Sequence, residues 1–540
     1  VSSAASDVYK RQPNLQTEEF ADMYAQTAVY GLFTARVFES TTLYGAVPER
    51  MPSHLRKGGF SLEKAEFLIP RANPFLRQFF RHVASPDLSE QLRWLIEQVA
   101  HSLLYTDMDK VLHRQSRKAG FEDPVFHFYE TFLGAYNHKL REQRGVYYTP
   151  QPVVDFMVRS VDSLLRTVLA KPDGLADKDT LILDPATGTA TFLRRVIDQI
   201  HQHVTTGGNA GLWPQYVKER LLPRVFGFEL MMAPYTVAHL KLALQLQEQG
   251  YAFGKGAAGK SDERLNVYLT NTLDMISKST DQFLANWIAA ENQGAEAVKR
   301  DAPVQVVLGN PPYSGISLNN SVMIRQLLDA YKKEPEGGPL KERKHWLNDD
   351  YVKFIRFAHD RIVRTGHGIV AFITNHSWLD NPTFRGMRAS LMRDFDHIYL
   401  LDLHGNTKKK ERTPKALSGQ GDDKNVFDIE QGVAITVLIK LRGQAVSSAT
   451  QDLFGNSVAA PRLASMQSPR KAQVHHADVW GSREHKYQWL QSSAWTDVPW
   501  QTLTPQAPLL LFVPVGEHGR QIYEEGWKVT HIFPVNTTGT

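Results

Sequence analysis

The sequence predicts an α/β protein built on a doubly wound, mostly parallel sheet, with a helical domain ahead of it. Two observations carry that expectation. From Gly145 to about Arg442, short apolar and β-branched runs alternate with helix-period patterns. Such alternation produces parallel strands covered by helices on both faces. Hydrophobic residues make up 42% of the 540 and charged residues 22%, enough for a large core and roughly two to four domains.

Seven strands are expected: Leu181–Leu183, Val225–Phe228, Val267–Leu269, Gln305–Leu308, Gly368–Ile373, His397–Leu401 and Val433–Lys440. Helices are expected over Pro152–Leu169, Thr191–His203, Ala233–Gln249 and Tyr351–Arg364. Ahead of them, residues 13–140 read as helical. Ser85-Pro86 can start a helix, with Leu92, Leu95, Ile96, Val99 and Leu103 on one face, and Phe121–Tyr136 forms another helical stretch. The α/β domain is bounded at 141–445, a Ser/Ala/Gln-rich linker at 446–468, and an aromatic C-terminal extension at 469–540. Residues 1–12 are small, polar and patternless, and resemble adapter sequence. The chain reads as a fragment cut at both ends.

Net charge is +5, a modest basic excess compatible with a polyanionic partner. There is no cysteine, so disulfides and thiolate metal sites are excluded and a cytoplasmic setting fits. The apolar run Leu509–Val513 lies between prolines and is too short to span a membrane.

The most telling motif is Asn310-Pro311-Pro312-Tyr313 at a strand tip. Consecutive prolines fix two φ angles and remove two backbone donors. What remains is a ledge of acceptors, the Asn310 side-chain oxygen and the Pro311 carbonyl. Such a ledge suits an NH2 group whose nitrogen must become a nucleophile, and Tyr313 adds a flat face for a planar substrate. A plain proline turn is the alternative.

Leu181–Asp184 runs into the small-residue turn Pro185-Ala186-Thr187-Gly188-Thr189-Ala190, then a helix start at Thr191-Phe192. Such a turn lets the backbone approach a cofactor. Its single glycine falls short of a dinucleotide fingerprint. Phe226-Gly-Phe-Glu229 ends the next strand with a carboxylate that can hold ribose hydroxyls or simply face solvent. Asn271, in Thr270-Asn-Thr272, can read an adenine edge. Thr149-Pro150 either caps the following helix or bonds a ligand carboxylate.

Gly254–Ser261 matches the phosphate-loop pattern, but a helix precedes it and a strand follows, the reverse of what that mechanism needs. It reads as an exposed turn. Lys408-Lys409-Lys410 is either a solvated loop or a phosphate-contact loop. His475, His476 and His485 lack partner carboxylates at ligand spacing, and no metal is expected.

In order, Tyr-Tyr-Thr-Pro (147–150), Asp-Pro-Ala-x-Gly-x-x-Thr-Phe (184–192), Phe-Gly-Phe-Glu (226–229), Asn-Thr-Leu (271–273) and Asn-Pro-Pro-Tyr (310–313) resemble the gamma-class adenine-N6 DNA methyltransferases. The stretches 148–162, Asp402-Leu-His404-Gly-Asn406 and 425–435 resemble the Type ISP restriction–modification enzymes. Those are long single chains with nuclease, helicase, coupler, methyltransferase and target-recognition parts. The resemblance covers most of residues 20–540.

It implies a seven-stranded Rossmann-like methyltransferase sheet, a coupler-like helical domain at 13–140, and the start of a truncated target-recognition domain after 469. It implies S-adenosylmethionine as cofactor, double-stranded DNA as substrate, and helicase and nuclease domains upstream. Carried over by position, Tyr148, Thr149, Pro150, Asp184, Pro185, Ala186, Thr187, Gly188, Thr189 and Phe192 would line the cofactor site. Glu229 with Leu230 would hold its ribose, Asn271 with Thr272 its adenine. Asn310 to Tyr313 would grip a flipped adenine, and Trp378 or Phe384 would cover the base. Two departures stand out: Thr187 replaces a usual Cys and Ala190 a usual Gly. The same Asn-Pro-Pro-Tyr turn serves enzymes that methylate protein glutamine amides or RNA bases, and a non-catalytic DNA-binding fragment is a further reading.

Overall fold

The computed structural model describes residues 17–40, 51–70, 72–108, 110–111, 149–253, 263–275, 283–313, 317, 319–340, 345–442, 450–451, 457–458, 472–515 and 525–526. Tyr148, the phosphate-loop-like segment 254–261, the stretch 121–136 and residues 1–12 lie outside the described residues.

Nine strands form one sheet. They are β1 (Leu181–Asp184), β2 (Val225–Glu229), β3 (Asn266–Leu269), β4 (Val304–Gly309), β5 (Gly368–Asn375), β6 (His397–Asp402), β7 (Val433–Lys440), β8 (Gln473–Asp478) and β9 (Gln501–Leu503). Their spatial order is β9-β8-β6-β7-β5-β4-β1-β2-β3. β3, β2, β1, β4 and β5 run parallel. β7 is antiparallel to both β5 and β6, β8 is parallel to β6, and β9 is antiparallel to β8.

All seven expected strands are present within a residue or two of their expected limits. The expected count is corrected to nine, and the sheet is mixed. β8 and β9 come from the segment assigned to the C-terminal extension. That segment was separated because a polar linker precedes it. Pairing of Val474 with Ile398 and Ala477 with Leu401 nevertheless joins it to the sheet, so the boundary at 445 does not divide the fold.

Among the described helices are α1 (Thr17–Ser40), α2 (Leu62–Leu68), α3 (Pro74–Val83), α4 (Glu90–Leu104), α5 (Gln151–Thr167), α6 (Thr191–Thr205), α7 (Met232–Glu248), α8 (Phe283–Arg300), α9 (Asp350–Thr365), α10 (Arg385–Asp394) and α11 (Arg483–Ser492). Successive strand residues point to opposite faces, and this splits the core in two. Ile182, Val306, Leu308, Ile369 and Ile373 pack with α5, α6 and α7. Leu183, Val304, Val307, Val370 and Phe372 pack with α8, α9 and α10. Every residue of β4 is buried, as expected of a strand covered on both faces. In α5, Val153, Val154, Met157, Val158, Val161, Leu164 and Leu165 are buried, each contributing roughly 1.5–3 kcal/mol.

The N-terminal helices are not isolated from the sheet. Tyr30, Phe33 and Val37 of α1 join the core containing α7, while Leu32 and Ala35 face Leu76, Phe79 and Phe80 of α3. Ser85-Pro86 does not open a helix. Leu88 N bonds Ser85 O in a turn, and α4 begins at Glu90. Leu95 is 55% exposed, because only Ile96 and Ala100 of α4 are buried. Among the described residues, no helix is long and apolar enough to cross a membrane.

Candidate active site

Three strand tips meet at one edge of the sheet. β1 lies between β4 and β2, so the turns after Asp184, Glu229 and Gly309 are neighbours. Gly309 controls the closest approach. A Cβ at that position would lie 2.7 Å from Asp184 Oδ1, a separation real side chains do not adopt. The absent side chain lets the end of β4, where the Asn310 turn begins, approach the Asp184 carboxylate.

Asn310 is held from two directions. Its Nδ2 donates to Thr149 Oγ1 at 3.0 Å. Its Oδ1 lies 2.5 Å from the Tyr313 hydroxyl, which is also 3.1 Å from the Ile373 carbonyl and can give its one proton to either. Thr149 is buried. Pro150 opens α5, its carbonyl accepting from Val153 N and Val154 N at 3.0 and 3.2 Å. Pro311 is buried, while Pro312 and Tyr313 are half-buried. The Tyr313 ring meets Tyr351 edge-on at 6.4 Å.

The turn after β1 is stitched by its own polar atoms. Ala186 N donates to Asp184 Oδ1 at 3.1 Å. Thr187 Oγ1 donates to Asp184 O at 3.1 Å, and Thr187 N to Phe228 O at 2.9 Å. Thr272 Oγ1 donates to Pro185 O at 2.5 Å, tying the turn after β3 to the turn after β1. Gly188 and Ala190 both take left-handed conformations, at φ +54° and +64°, with the half-buried Thr189 between them. Phe192 is buried in the core.

Glu229 is buried. Its carboxylate accepts Gly188 N and Met231 N, each at 2.8 Å. Burial, strengthened by the neighbouring Glu229 charge, pushes the Asp184 carboxyl up to about 8. Burial pushes Glu229 up to about 7 against the pull of the amides of Met231, Gly188 and Leu230. The Leu230 side chain is exposed.

Asn271 is half-buried. Its Oδ1 accepts Leu273 N at 3.0 Å, and its Nδ2 donates to Asn319 Oδ1 at 3.0 Å. Asn319 in turn donates to Asp350 Oδ1 at 3.0 Å. Lys299 escaped the sequence reading, since a lysine in a last helical turn looks ordinary. It is buried, and its Nζ donates to Thr270 Oγ1, Asn271 O and Asp274 O at 2.8, 2.6 and 3.1 Å. Burial pushes its ammonium down to about 7. Gly309 was also missed, although its place immediately before Asn-Pro-Pro was a visible signal.

Two expected contacts are corrected. Trp378 and Phe384 are 0% and 1% exposed, so neither offers a face to a base. Trp378 donates its indole N–H to Thr374 Oγ1 at 3.4 Å and meets Phe512 edge-on at 5.8 Å. Both aromatic side chains are core residues of the layer under α9 and α10. Lys408, Lys409 and Lys410 are exposed, and two of them pair with acids: Lys408 with Glu430 at 3.0 Å and Lys409 with Asp380 at 2.6 Å.

Residues 121–347 match the N-6 DNA Methylase family. That methylase match contains the turns after β1, β2, β3 and β4 described above. The fold resembles solved structures of DNA complexes. A complex of DrdV with DNA shares 24% identity at a TM-score of 0.63, over 94% of this chain and 42% of that one. The ATP-dependent Type ISP restriction-modification enzyme LlaBIII, bound to DNA, shares 21% identity at 0.61, over 92% of this chain and 29% of that one. A nuclease-deletion mutant of the Type ISP enzyme LlaGI, with a DNA substrate mimic, shares 19% at 0.61, over 92% and 34%. The chain thus spans less than half the length of each. No curated protein matches it.

Proposed function

We propose that this chain transfers the methyl group of S-adenosylmethionine to N6 of an adenine flipped out of double-stranded DNA, as the modification part of a restriction–modification or phage-defence enzyme. The observation that carries the reading is the close approach of the β4 tip that bears Asn310 to the Asp184 carboxylate, made possible by Gly309. The N-6 DNA Methylase match over 121–347 supports it, as do the DNA-bound Type ISP enzymes that share the fold.

The residues around Asp184 fit the cofactor. Asp184 Oδ2 is buried with no hydrogen-bond partner, and a Cβ on Gly188 would meet no atom within 4 Å. The turn therefore opens onto free space beside an unsatisfied acceptor. Two buried carboxylates favour a ligand that brings cationic and hydroxyl donors. Thr149, Pro150 and residues 184–188 would hold the methionine end. Glu229 would take ribose hydroxyls on lone pairs its amide partners leave open. Asn271 would face the adenine end. When bound, S-adenosylmethionine supplies an electrophilic methyl carbon on a sulfonium.

The chain's own work is to present the nucleophile. The N6 lone pair of adenine is delocalised into the ring, and extruding the base costs a few kcal/mol. Asn310 Oδ1 and the Pro311 carbonyl would accept the two N6 hydrogens. That draws the nitrogen toward tetrahedral geometry and stabilises its developing positive charge. Thr149 keeps the amide oxygen facing that position by accepting from Nδ2. The Tyr313 ring is the remaining candidate for base stacking, worth about 1–3 kcal/mol. Catalysis on this reading is positioning and preorganised dipoles.

Asn310→Ala tests the assignment directly. We expect turnover on DNA to fall by about 10²–10³, while S-adenosylmethionine still raises the melting temperature and ATP does not. Near-full methylation by the variant would refute the role of Asn310. Transfer by the wild-type chain to ribosomal RNA or protein glutamine amides, but not to DNA, would replace the acceptor.

A further inference from the structure

The turn after β3 is tied to the segment beyond Tyr313 by a chain of side-chain amides. Asn271 Nδ2 donates to Asn319 Oδ1 at 3.0 Å, and Asn319 Nδ2 donates to Asp350 Oδ1, at the start of α9, also at 3.0 Å. Asp350 is buried, while Asn271 and Asn319 are half-buried. The same Asp350 oxygen accepts from the Ser317 hydroxyl, and Asn319 N donates to Ser317 Oγ at 3.1 Å. The buried Lys353 closes the mesh, its Nζ donating to Ser317 Oγ at 2.6 Å and to the Asn319 carbonyl.

This chain of bonds has a direction. A side-chain amide can in principle turn over, exchanging its oxygen for its NH2. Both ends oppose that here. An ionised carboxylate only accepts, so Asp350 takes the NH2 of Asn319 and leaves the Asn319 oxygen toward Asn271. At the other end the Leu273 N–H only donates, and it takes Asn271 Oδ1 at 3.0 Å. With Asn319 turned over, two oxygens would meet at Asp350 and two NH2 groups at Asn271. The Asn271 backbone is held separately, its carbonyl accepting from Lys299 Nζ at 2.6 Å. Asn319 therefore acts on the Asn271 side chain.

Beyond these partners, Asn271 keeps one amide hydrogen and one oxygen lone pair. Adenine matches that pair, offering an N6 hydrogen beside a ring-nitrogen acceptor. Hypoxanthine carries an oxygen where adenine has its NH2. An amide that could turn over would serve the ring N–H and carbonyl of hypoxanthine as well, and an amide held in one direction would not.

We propose that Asn319, anchored by Asp350, is a positioning residue that makes Asn271 selective for adenine in the nucleoside of the cofactor. The proposal rests on the methyl-transfer reading, in which Asn271 faces the adenine end. Asn319 acts through Asn271 and touches no cofactor itself. Its role is invisible in the linear sequence, where it reads as an ordinary loop asparagine.

The test is calorimetric titration of the full chain with S-adenosylhomocysteine and with S-inosylhomocysteine, its hypoxanthine counterpart. We expect the wild-type chain to prefer the adenine form, and Asn319→Ala to narrow that preference by at least about threefold, within what one net hydrogen bond supplies. A general loosening of the turn would weaken both ligands alike and leave their ratio unchanged. If circular dichroism shows that this variant does not fold, Asn319→Ser is judged by the same criterion. A wild-type preference that survives in the deciding variant, or equal binding of the two ligands by the wild-type chain, would overturn this proposal and leave methyl transfer standing. Failure of the wild-type chain to bind either ligand would overturn both.

Discussion

The side-chain amide of Asn310 donates to Thr149 Oγ1 at 3.0 Å, joining the tip of β4 to the start of α5. The bond decides which way the amide faces. With Nδ2 committed to Thr149, Oδ1 is presented on the Tyr313 side.

Removing the acceptor while keeping the shape tests that relationship. Thr149→Val should lower kcat by roughly tenfold, the equivalent of one net hydrogen bond of about 1 kcal/mol or slightly more. Thr149→Ser should restore most of it. Single-turnover methyl transfer on DNA would measure both. Equal rates for the valine and serine variants would exclude an orienting role.

Gly309→Ala should be harmful for a different reason. The new methyl group would meet Asp184 Oδ1 at 2.7 Å, and that carboxylate is buried and held by the Ala186 N–H. A loss of about 1–3 kcal/mol is expected from overpacking, read by chemical denaturation, together with weaker cofactor binding. Wild-type stability would mean the two turns can separate.

Ala190→Gly should stabilise the chain. Ala190 sits at φ +64°, and a left-handed conformation costs a non-glycine residue about 1–2 kcal/mol. The entropy glycine adds to the unfolded chain offsets roughly 0.4–1 kcal/mol of that. The net gain is between zero and about 1.6 kcal/mol, visible as a small rise in the denaturation midpoint. A clear loss would show that the buried methyl group packs more favourably than its backbone is strained.

The contribution of Asp184 and Glu229 to stability should decline as pH rises from about 4 to 8. Asp184 and Glu229 are pushed up to about 8 and about 7 in the fold, from ordinary values of 3.8 and 4.5. In that window the native state binds more protons than the unfolded chain, so raising the pH favours unfolding. The penalty is complete above the folded values. Asp184→Asn removes the larger contribution and should flatten the slope. Denaturation midpoints at several pH values would measure it, and an unchanged slope would count against buried ionisation at Asp184.

Much of this protein was legible in the linear chain. Seven strands and four flanking helices followed from apolar periodicity, because buried strands and amphipathic helices impose patterns on neighbouring residues. The strand-tip turns at Asp184, Glu229, Asn271 and Asn310 were marked by their own chemistry. Trp378 and Phe384 were misread for a physical reason: an aromatic residue near an active-site loop looks the same whether it faces a base or a core.

What the chain determined by itself was local: where strands and helices fall, and which turns carry acceptors. Strand order, the antiparallel insertion of β7, and the recruitment of β8 and β9 were decided only in three dimensions. So was the bond from Asn310 to Thr149. Periodicity reports the environment of each residue along one element. Contacts between distant elements depend on how the sheet is ordered, and burial of both its faces selects that order only when the whole chain packs.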